Sequence, residues 1–238
     1  MRWLHTIRQP CSLRTGDAGK KIIQFHAVEQ PITEAVTKFG GQPVWIDEPE
    51  WPLSESLDEP MMFIGQIAIE PELFPGAEGK MAYLFMTDVE AHGSNAATWD
   101  PDGGENAIVI QPGGEVWVDT EPLSEGPTLN LKSPSAARPL EYRVTFIEGY
   151  EEDFLPEHER SNLSQAEKEA KFGKLEDSKI GGTPIFIQSD EIPGDDWQLL
   201  FQLYSDNLPF DLHLSDAGIG YGFISPEGDE GKFLWQCF

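Results

Sequence analysis

The chain has 238 residues and a formal net charge of −26, with 39% hydrophobic and 11% aromatic residues. The aromatic content is too high for a disordered chain, and the length is sufficient to bury a core without disulfides or metals. The acidity excludes nucleic acid and anionic membranes as partners, and it favours a basic protein or divalent cations. The alternative is that the acidity serves only solubility.

The cysteines and the N-terminus indicate a cytoplasmic protein. Cys11 and Cys237 form no disulfide framework, which favours a reducing compartment. The first 21 residues are basic, but they contain no apolar segment of the kind that a signal peptide requires. The longest apolar run, 61–69, is shorter than the roughly 20 residues of a membrane-spanning helix. We expect no membrane span, and the sequence does not indicate an oligomeric state.

Short runs with period-two alternation predict β-strands along most of the chain. The clearest are 21–28 and 140–147, in which apolar residues recur at every second position. Further strands are predicted at Pro43–Ile46, Phe63–Ile69, Ala82–Met86, Ala107–Ile110, Glu115–Val118, Thr128–Leu131, Pro184–Gln188, Leu199–Tyr204, Tyr221–Ile224 and Phe233–Cys237.

Helices are predicted to be few and peripheral. The segment 164–167 has the form of a capping box, and Ala166–Lys171 are good helix formers that end before Gly173. A weaker helix is predicted at Ile32–Lys38, with Pro31 in its first turn. Because 19 prolines and 23 glycines separate the strands, we expect a mainly β (β-rich α+β) protein and not βαβ units.

An internal repeat divides the chain into two related halves. The segment 38–46 reads KFGGQPVWI and the segment 179–187 reads KIGGTPIFI, so the two agree in nearly every position. We predict one domain over 1–238 with halves of approximately 20–150 and 151–238. Each Gly-Gly-x-Pro step predicts a sharp turn that delivers the following aromatic residue into a strand. We expect two duplicated, pseudo-symmetric β halves, each burying one sheet face against the other.

The repeated motif also carries a family resemblance. With the two Lys-x-Gly-Gly-x-Pro segments, the leucine-rich strand Leu199–Tyr204 and the Ser-Asp after it, Asp216-x-Gly-Ile-Gly and the final Trp235-x-Cys, the chain resembles the YwqG-like family of bacterial proteins from about Phe39 to Phe238. This resemblance implies a mainly β fold of unknown activity, and some relatives lie in genomic neighbourhoods of secreted toxins and their immunity partners. Leu214 stands near the place where the family pattern leads us to expect a tryptophan.

Two pairs of polar residues at matching places in the halves are candidates for a ligand-binding cleft. Gln66 and Glu70 stand four residues apart in an apolar run, as do Gln202 and Asp206. Two carboxylates that face one pocket bind a cation or perform acid–base catalysis. The alternative is that each glutamine bonds to backbone at a strand end and that each acid caps a turn.

An acidic loop and two tryptophans are further candidates. Asp100, Asp102 and Glu105 supply oxygen ligands that suit Ca²⁺, although an ordinary acidic turn has the same composition. Trp51 and Trp197 each follow a repeat motif among acids, and Asp195 and Asp196 precede Trp197 directly. An aromatic ring among carboxylates suits a basic partner. The alternative is that both rings pack onto their own sheets, as expected for the other tryptophans, including Trp117.

No catalytic motif is present, because the histidines lack zinc-site spacing and 215–220 fits neither a nucleophile elbow nor a phosphate loop. The sequence therefore favours a non-catalytic, acidic protein-binding module that neutralises a basic partner such as a toxin domain. The second hypothesis is a small hydrolase or a metal- or ligand-binding enzyme with a polar cleft between the halves. The third is a structural protein whose acidity serves solubility. No cofactor is expected beyond the weak case for Ca²⁺.

Overall fold

The computed structural model describes residues 17–93, 95–129 and 141–238. They form a closed antiparallel barrel of ten strands, with a separate two-stranded ribbon and short helices outside it. The strands are β1 Asp17–Val28, β2 Lys38–Gly40, β3 Trp51–Pro52, β4 Met62–Ala68, β5 Met81–Met86, β6 Asn106–Gln111, β7 Thr120–Glu121, β8 Glu141–Glu152, β9 Lys179–Gly181, β10 Gln198–Tyr204, β11 Ile219–Ile224 and β12 Gly231–Gln236. The helices are α1 Val89–His92, α2 Glu157–Arg160 and α3 Gln165–Phe172, with a 3₁₀ turn at Ser205–Asn207.

The strand order relates the two halves of the barrel. The order is β1-β8-β2-β4-β5-β6-β12-β11-β10-β9, and β9 closes the barrel on β1. On either side of the β1–β8 pair, β2 corresponds to β9, β4 to β10, β5 to β11 and β6 to β12. A β-bulge falls between Phe63 and Gly65 in β4 and between Leu199 and Phe201 in β10. The prediction of a mainly β fold with pseudo-symmetric halves is confirmed.

The halves join at their strand edges, which differs from the expected face-to-face packing of two sheets. β1 and β8 pair along twelve residues, from Asp17 opposite Glu152 to Val28 opposite Glu141. At the other seam β6 and β12 share the pair Ile108 and Gly231. β1, at the start of the described chain, lies beside β9 of the later half. Edge pairing satisfies the backbone groups that two separate sheets would leave open.

The barrel has one internal core and two external apolar clusters. The internal cluster contains residues of both halves, among them Phe39, Leu84, Leu200 and Phe233. Outside the barrel, one cluster surrounds Tyr83 and the other surrounds its counterpart Tyr221. The first consists of Trp51, Met61, Phe63, Met81, Tyr83, Phe85 and Val109. The second consists of Phe186, Leu199, Ile219, Tyr221, Phe223 and Leu234. Loops therefore cover the outer faces of central strands, which explains why those strands are apolar at consecutive positions.

Several predicted elements differ from the structure. The segments 43–46, 115–118 and 184–188 are not strands, and 32–38 is irregular up to β2, so the helix predicted there is wrong. Thr128 makes only an isolated bridge to Phe63, and the end of the run 128–131 lies outside the described residues. The capping box is confirmed, since Ser164 and Glu167 bond to each other's backbone N–H. Within the described ranges, no helix has the length and apolar character to cross a membrane.

Candidate functional site

The two repeated glutamines hold the segments that follow the Gly-Gly-x-Pro turns. Gln66 is fully buried, accepts from Val44 N–H at 2.8 Å and donates to Val36 C=O at 3.0 Å. Gln202 is equally buried and accepts from Ile185 N–H at 3.0 Å. A side-chain amide therefore replaces the neighbouring strand for these backbone groups, which explains why the segments are extended but not strands.

The structure does not bring the two glutamines into one cleft. Four strands separate β4 from β10 in either direction around the barrel, so the two amides lie on opposite sides. Glu70 pairs with Lys21, and Asp206 is exposed in the 3₁₀ turn. A ligand-binding role for these four residues stays a prediction, and the second hypothesis of an enzyme gains no shared site from them.

The three predicted calcium ligands each have other partners. Asp100 accepts from Asp102 N–H at 2.9 Å, and Asp102 pairs with Lys232. Among the described residues, no group of three or more His, Cys, Asp or Glu side chains lies close enough to hold a metal ion. The acidic loop is thus an Asx-type turn in this structure, as its composition also allows.

Glu105 is buried, with hydroxyl and amide groups around its carboxylate. Ser54 Oγ donates at 2.6 Å, Thr87 Oγ1 at 2.7 Å and Ser56 N–H at 2.9 Å. Burial acts to raise the pKa of Glu105, but these hydrogen bonds outweigh it and hold the pKa below its ordinary value. Glu105 therefore fastens the 54–56 loop to the start of β6.

Trp51 is not a surface residue, so the prediction that it contacts a partner is wrong. Its side chain is 0% exposed, and Nε1 donates to Met61 C=O at 2.8 Å. Trp197 is half-buried in a groove beside the second Gly-Gly-x-Pro turn, while Asp195 and Asp196 are exposed. A role of these three residues in partner binding stays a prediction.

The lysine of each repeat motif makes a buried ion pair with β8, which the sequence did not reveal. Lys38 Nζ lies 2.6 Å from Glu141 Oε2. Lys179 Nζ lies 2.6 Å from Glu151 Oε2, and Lys20 Nζ lies 2.7 Å from the other oxygen of Glu151. Burial lowers the pKa of Lys179 to about 8, with Lys20 acting in the same direction and Glu151 opposing it.

Paired glycines make room for these carboxylates. Gly41 has φ +66° and Gly182 has φ +78°, conformations that favour glycine. A Cβ at Gly41 would overlap the Glu141 carboxyl group, and a Cβ at Gly182 would overlap that of Glu151. The Lys-x-Gly-Gly-x-Pro motif therefore holds each loop against β8, and it does not form an open site.

Trp117 is the most exposed tryptophan of the described chain, at 66%. Two surface hollows, of about 260 and about 340 Å³, are both lined by Trp117 and Glu55. Five carboxylates in all line these hollows: Glu55, Asp58, Asp102, Glu115 and Asp119. We call Trp117 and these five residues the Trp117 surface. It combines a large aromatic face with a strongly negative rim.

A cation of the protein itself already lies over this ring. Lys232 Nζ is 6.0 Å from the centroid of the Trp117 ring, and it pairs with Asp102. An ammonium placed between an aromatic face and a carboxylate gains from both groups. The Trp117 surface therefore already holds one positive charge of the protein itself.

The sequence contained a signal for this surface that the predicted strand at 115–118 concealed. Glu115, Trp117 and Asp119 occupy alternate positions, and all three are exposed. Val116 and Val118 face the outer apolar cluster around Tyr83. When a tryptophan and acidic residues occupy one set of alternate positions and valines occupy the other set, the pattern indicates that the tryptophan lies on the surface.

Comparison with known proteins gives a family without an activity. The family model described as "Domain of unknown function (DUF1963)" matches residues 37–230, which is most of the chain and includes both repeat motifs and the Trp117 surface. No curated protein matches the sequence.

Proposed function

Because the chain belongs to the DUF1963 family of domains of unknown function, we propose from its own surface that it is a non-catalytic acidic module that binds a basic protein partner through the Trp117 surface. The observation that carries this proposal is a ring 66% exposed among five carboxylates. Exposed aromatic rings of this size are typical anchors of protein interfaces.

The charge of the protein supports a basic partner. The formal net charge of −26 attracts a positively charged protein over distances of about a Debye length, 8 Å at physiological salt. At the Trp117 surface, an arginine or lysine of the partner stacks on the ring and pairs with Asp119 or Glu55.

The finer resemblance to the YwqG-like family suggests the kind of partner. Relatives of that family in toxin and immunity neighbourhoods support a basic toxin domain as the protein that is neutralised. Electrostatic complementarity of this kind accelerates association and excludes acidic competitors. A cytoplasmic location, which the sequence predicts, agrees with an immunity role.

The test is the binding of a fluorescein-labelled hexa-arginine peptide to the full-length protein at low and at high salt. We expect Trp117→Ala to weaken binding about tenfold at low salt, which corresponds to ~1.4 kcal/mol. The matched control is Trp99→Ala, because Trp99 is also exposed, at 53%, but lies against Trp235. Equal affinity of the two variants would refute the proposal.

A second pair of variants distinguishes the effect of the Trp117 surface on binding from the effect of the overall negative charge. Asp58→Asn with Asp119→Asn removes two charges at the Trp117 surface, and Glu72→Gln with Glu78→Gln removes two exposed charges elsewhere. We expect the first pair to weaken binding several-fold more than the second. If both pairs weaken binding equally, only long-range attraction operates and the acidity serves solubility.

A further inference from the structure

The loop after the first Gly-Gly-x-Pro turn is fixed by a glutamine of β6. Gln111 Nε2 donates to Glu48 C=O at 2.7 Å and to Glu50 Oε2 at 3.1 Å. The residue that follows Glu50 is Trp51, whose ring lies 6.4 Å from that of Phe63.

The loop after the second turn repeats these contacts residue by residue. Gln236 of β12 donates through Nε2 to Ser189 C=O at 2.7 Å and to Glu191 Oε2 at 3.1 Å. The residue that follows Glu191 is Ile192. Ile192 is therefore the counterpart of Trp51, and the second half has a much smaller side chain at this place.

In the first half, an extended segment of the chain also packs beside Trp51 and Phe63. Phe63 N–H donates to Pro127 C=O at 2.8 Å, and Phe63 C=O accepts from Leu129 N–H at 3.2 Å, which makes a parallel bridge at Thr128. Gln42 exchanges two hydrogen bonds of 2.9 Å with Gly126. Leu129 is only 4% exposed. The Trp51 ring therefore covers the outer face of β4, while 126–129 lies along the strand and Leu129 belongs to the internal core.

In the second half, the same place is a groove of about 230 Å³. It is lined by Thr183, Leu199 and Phe223, which are the counterparts of Gln42, Phe63 and Phe85, and by Ile192. Asp153 lies on its rim, and Asp195 and Asp196 are exposed directly before Trp197, which also lines it. Phe154 and Leu73 also line the groove, and Leu199 and Phe223 are no more than 3% exposed. Among the described residues, no loop segment bonds to the backbone of Leu199 as 126–129 bonds to that of Phe63. The groove thus has the floor of the first half without a segment paired along it, and a negative rim.

We propose that this groove binds an extended peptide segment of a partner protein, running parallel to β10 at Leu199, with an apolar side chain in the position of Leu129 and basic residues on either side. The first half shows the chemistry that the floor accepts, namely backbone bonds at the bulge and a buried leucine. The carboxylates on the rim of the groove favour a peptide with positive charge. This inference does not depend on the Trp117 surface, which involves other residues.

The probe is the fluorescent peptide Lys-Gly-Pro-Thr-Leu-Lys, whose centre copies 126–129, titrated onto the full-length protein. We expect it to bind, a scrambled peptide of equal composition not to bind, and a version with glutamine in place of lysine to bind more weakly. Ile192→Trp rebuilds the first-half arrangement, and we expect it to weaken probe binding at least about tenfold while denaturant unfolding shows a folded protein. Trp99→Ala is the control that leaves probe binding unchanged, because Trp99 is exposed and lines neither this groove nor the hollows of the Trp117 surface.

Asp195→Asn with Asp196→Asn is the test of the rim. We expect this pair to weaken binding of the lysine peptide but not of the glutamine peptide. Equal binding of the scrambled peptide, or no effect of Ile192→Trp, would overturn the proposal. Two results would overturn the assignment of the groove to a partner protein. Concentration-dependent dimers that Ile192→Trp abolishes would show that a second copy of the chain occupies the groove. Tighter binding of a peptide with the sequence of 2–14 would show that a segment of the chain itself occupies it.

Discussion

Lys179 Nζ lies 2.6 Å from Glu151 Oε2, and neither side chain is more than 1% exposed. The same carboxylate also holds Lys20, so two ammonium groups share one negative charge in the protein interior. A buried charge that is only partly compensated lowers the stability of the folded state. The lowered pKa of Lys179 is the measurable sign of that cost.

The pH dependence of stability follows from this pKa. Lys179 has a pKa of about 8 in the folded protein and an ordinary value of 10.5, so between these values the unfolded chain binds more protons. We expect the free energy of unfolding of the wild type, relative to Lys179→Met, to rise from pH 8 to pH 10. Urea unfolding at both pH values measures it, with exposed Lys174→Met as the control for lost charge. A relative stability that falls over this range would contradict the assignment.

The two repeated glutamines should have equal structural value. Gln66→Leu and Gln202→Leu each remove the acceptor for a backbone N–H and the donor to a backbone carbonyl. We expect each to destabilise the protein by about 2–4 kcal/mol, because buried backbone groups lose their partners. Thermal or urea unfolding measures the loss, and the exposed Gln165→Leu is the control. A loss in only one of the two variants would argue against their equivalence.

Glu105 should make the protein sensitive to acid. Its pKa is lowered in the folded state, so its stabilising contribution is present above the ordinary pKa near 4.5 and is lost as the pH falls through the folded value. We expect the wild type to be more stable than Glu105→Gln at pH 7, and the difference to shrink below pH 4.5. Unfolding curves at pH 7, 4.5 and 3.5 test this. A difference that stays constant with pH would show that the carboxylate charge is unimportant.

Lys232 should compete with a basic partner for the Trp117 ring. Its ammonium lies over the ring and pairs with Asp102. We expect Lys232→Met to increase the affinity for hexa-arginine several-fold, since the ring and the carboxylate are then both open. Lys80→Met is the comparison, because Lys80 instead donates to Gly228 C=O. Weaker binding by Lys232→Met would show that Lys232 helps to shape the site.

The repeat motif predicted the fold better than it predicted the site. Alternating residues in 21–28 identified β1, and the matched motifs at Lys38 and Lys179 identified the halves, because these signals are local. The matched Gln66 and Gln202 suggested one cleft, but equivalent residues of a closed barrel lie on opposite sides of it. Trp51 is buried because a distant segment covers it, which no local pattern reveals.

The position of β1 sets the order in which the protein is completed during synthesis. β1 is made before the other strands of the barrel, yet Ile22 pairs with Lys179 of β9, and Ile23 N–H donates to Ser178 C=O. The ribosome adds about 5–20 residues per second, so β1 waits roughly 8–30 seconds for this neighbour. The first half is therefore synthesised with an unpaired sheet edge. The barrel cannot close until the strands of the second half have also left the ribosome.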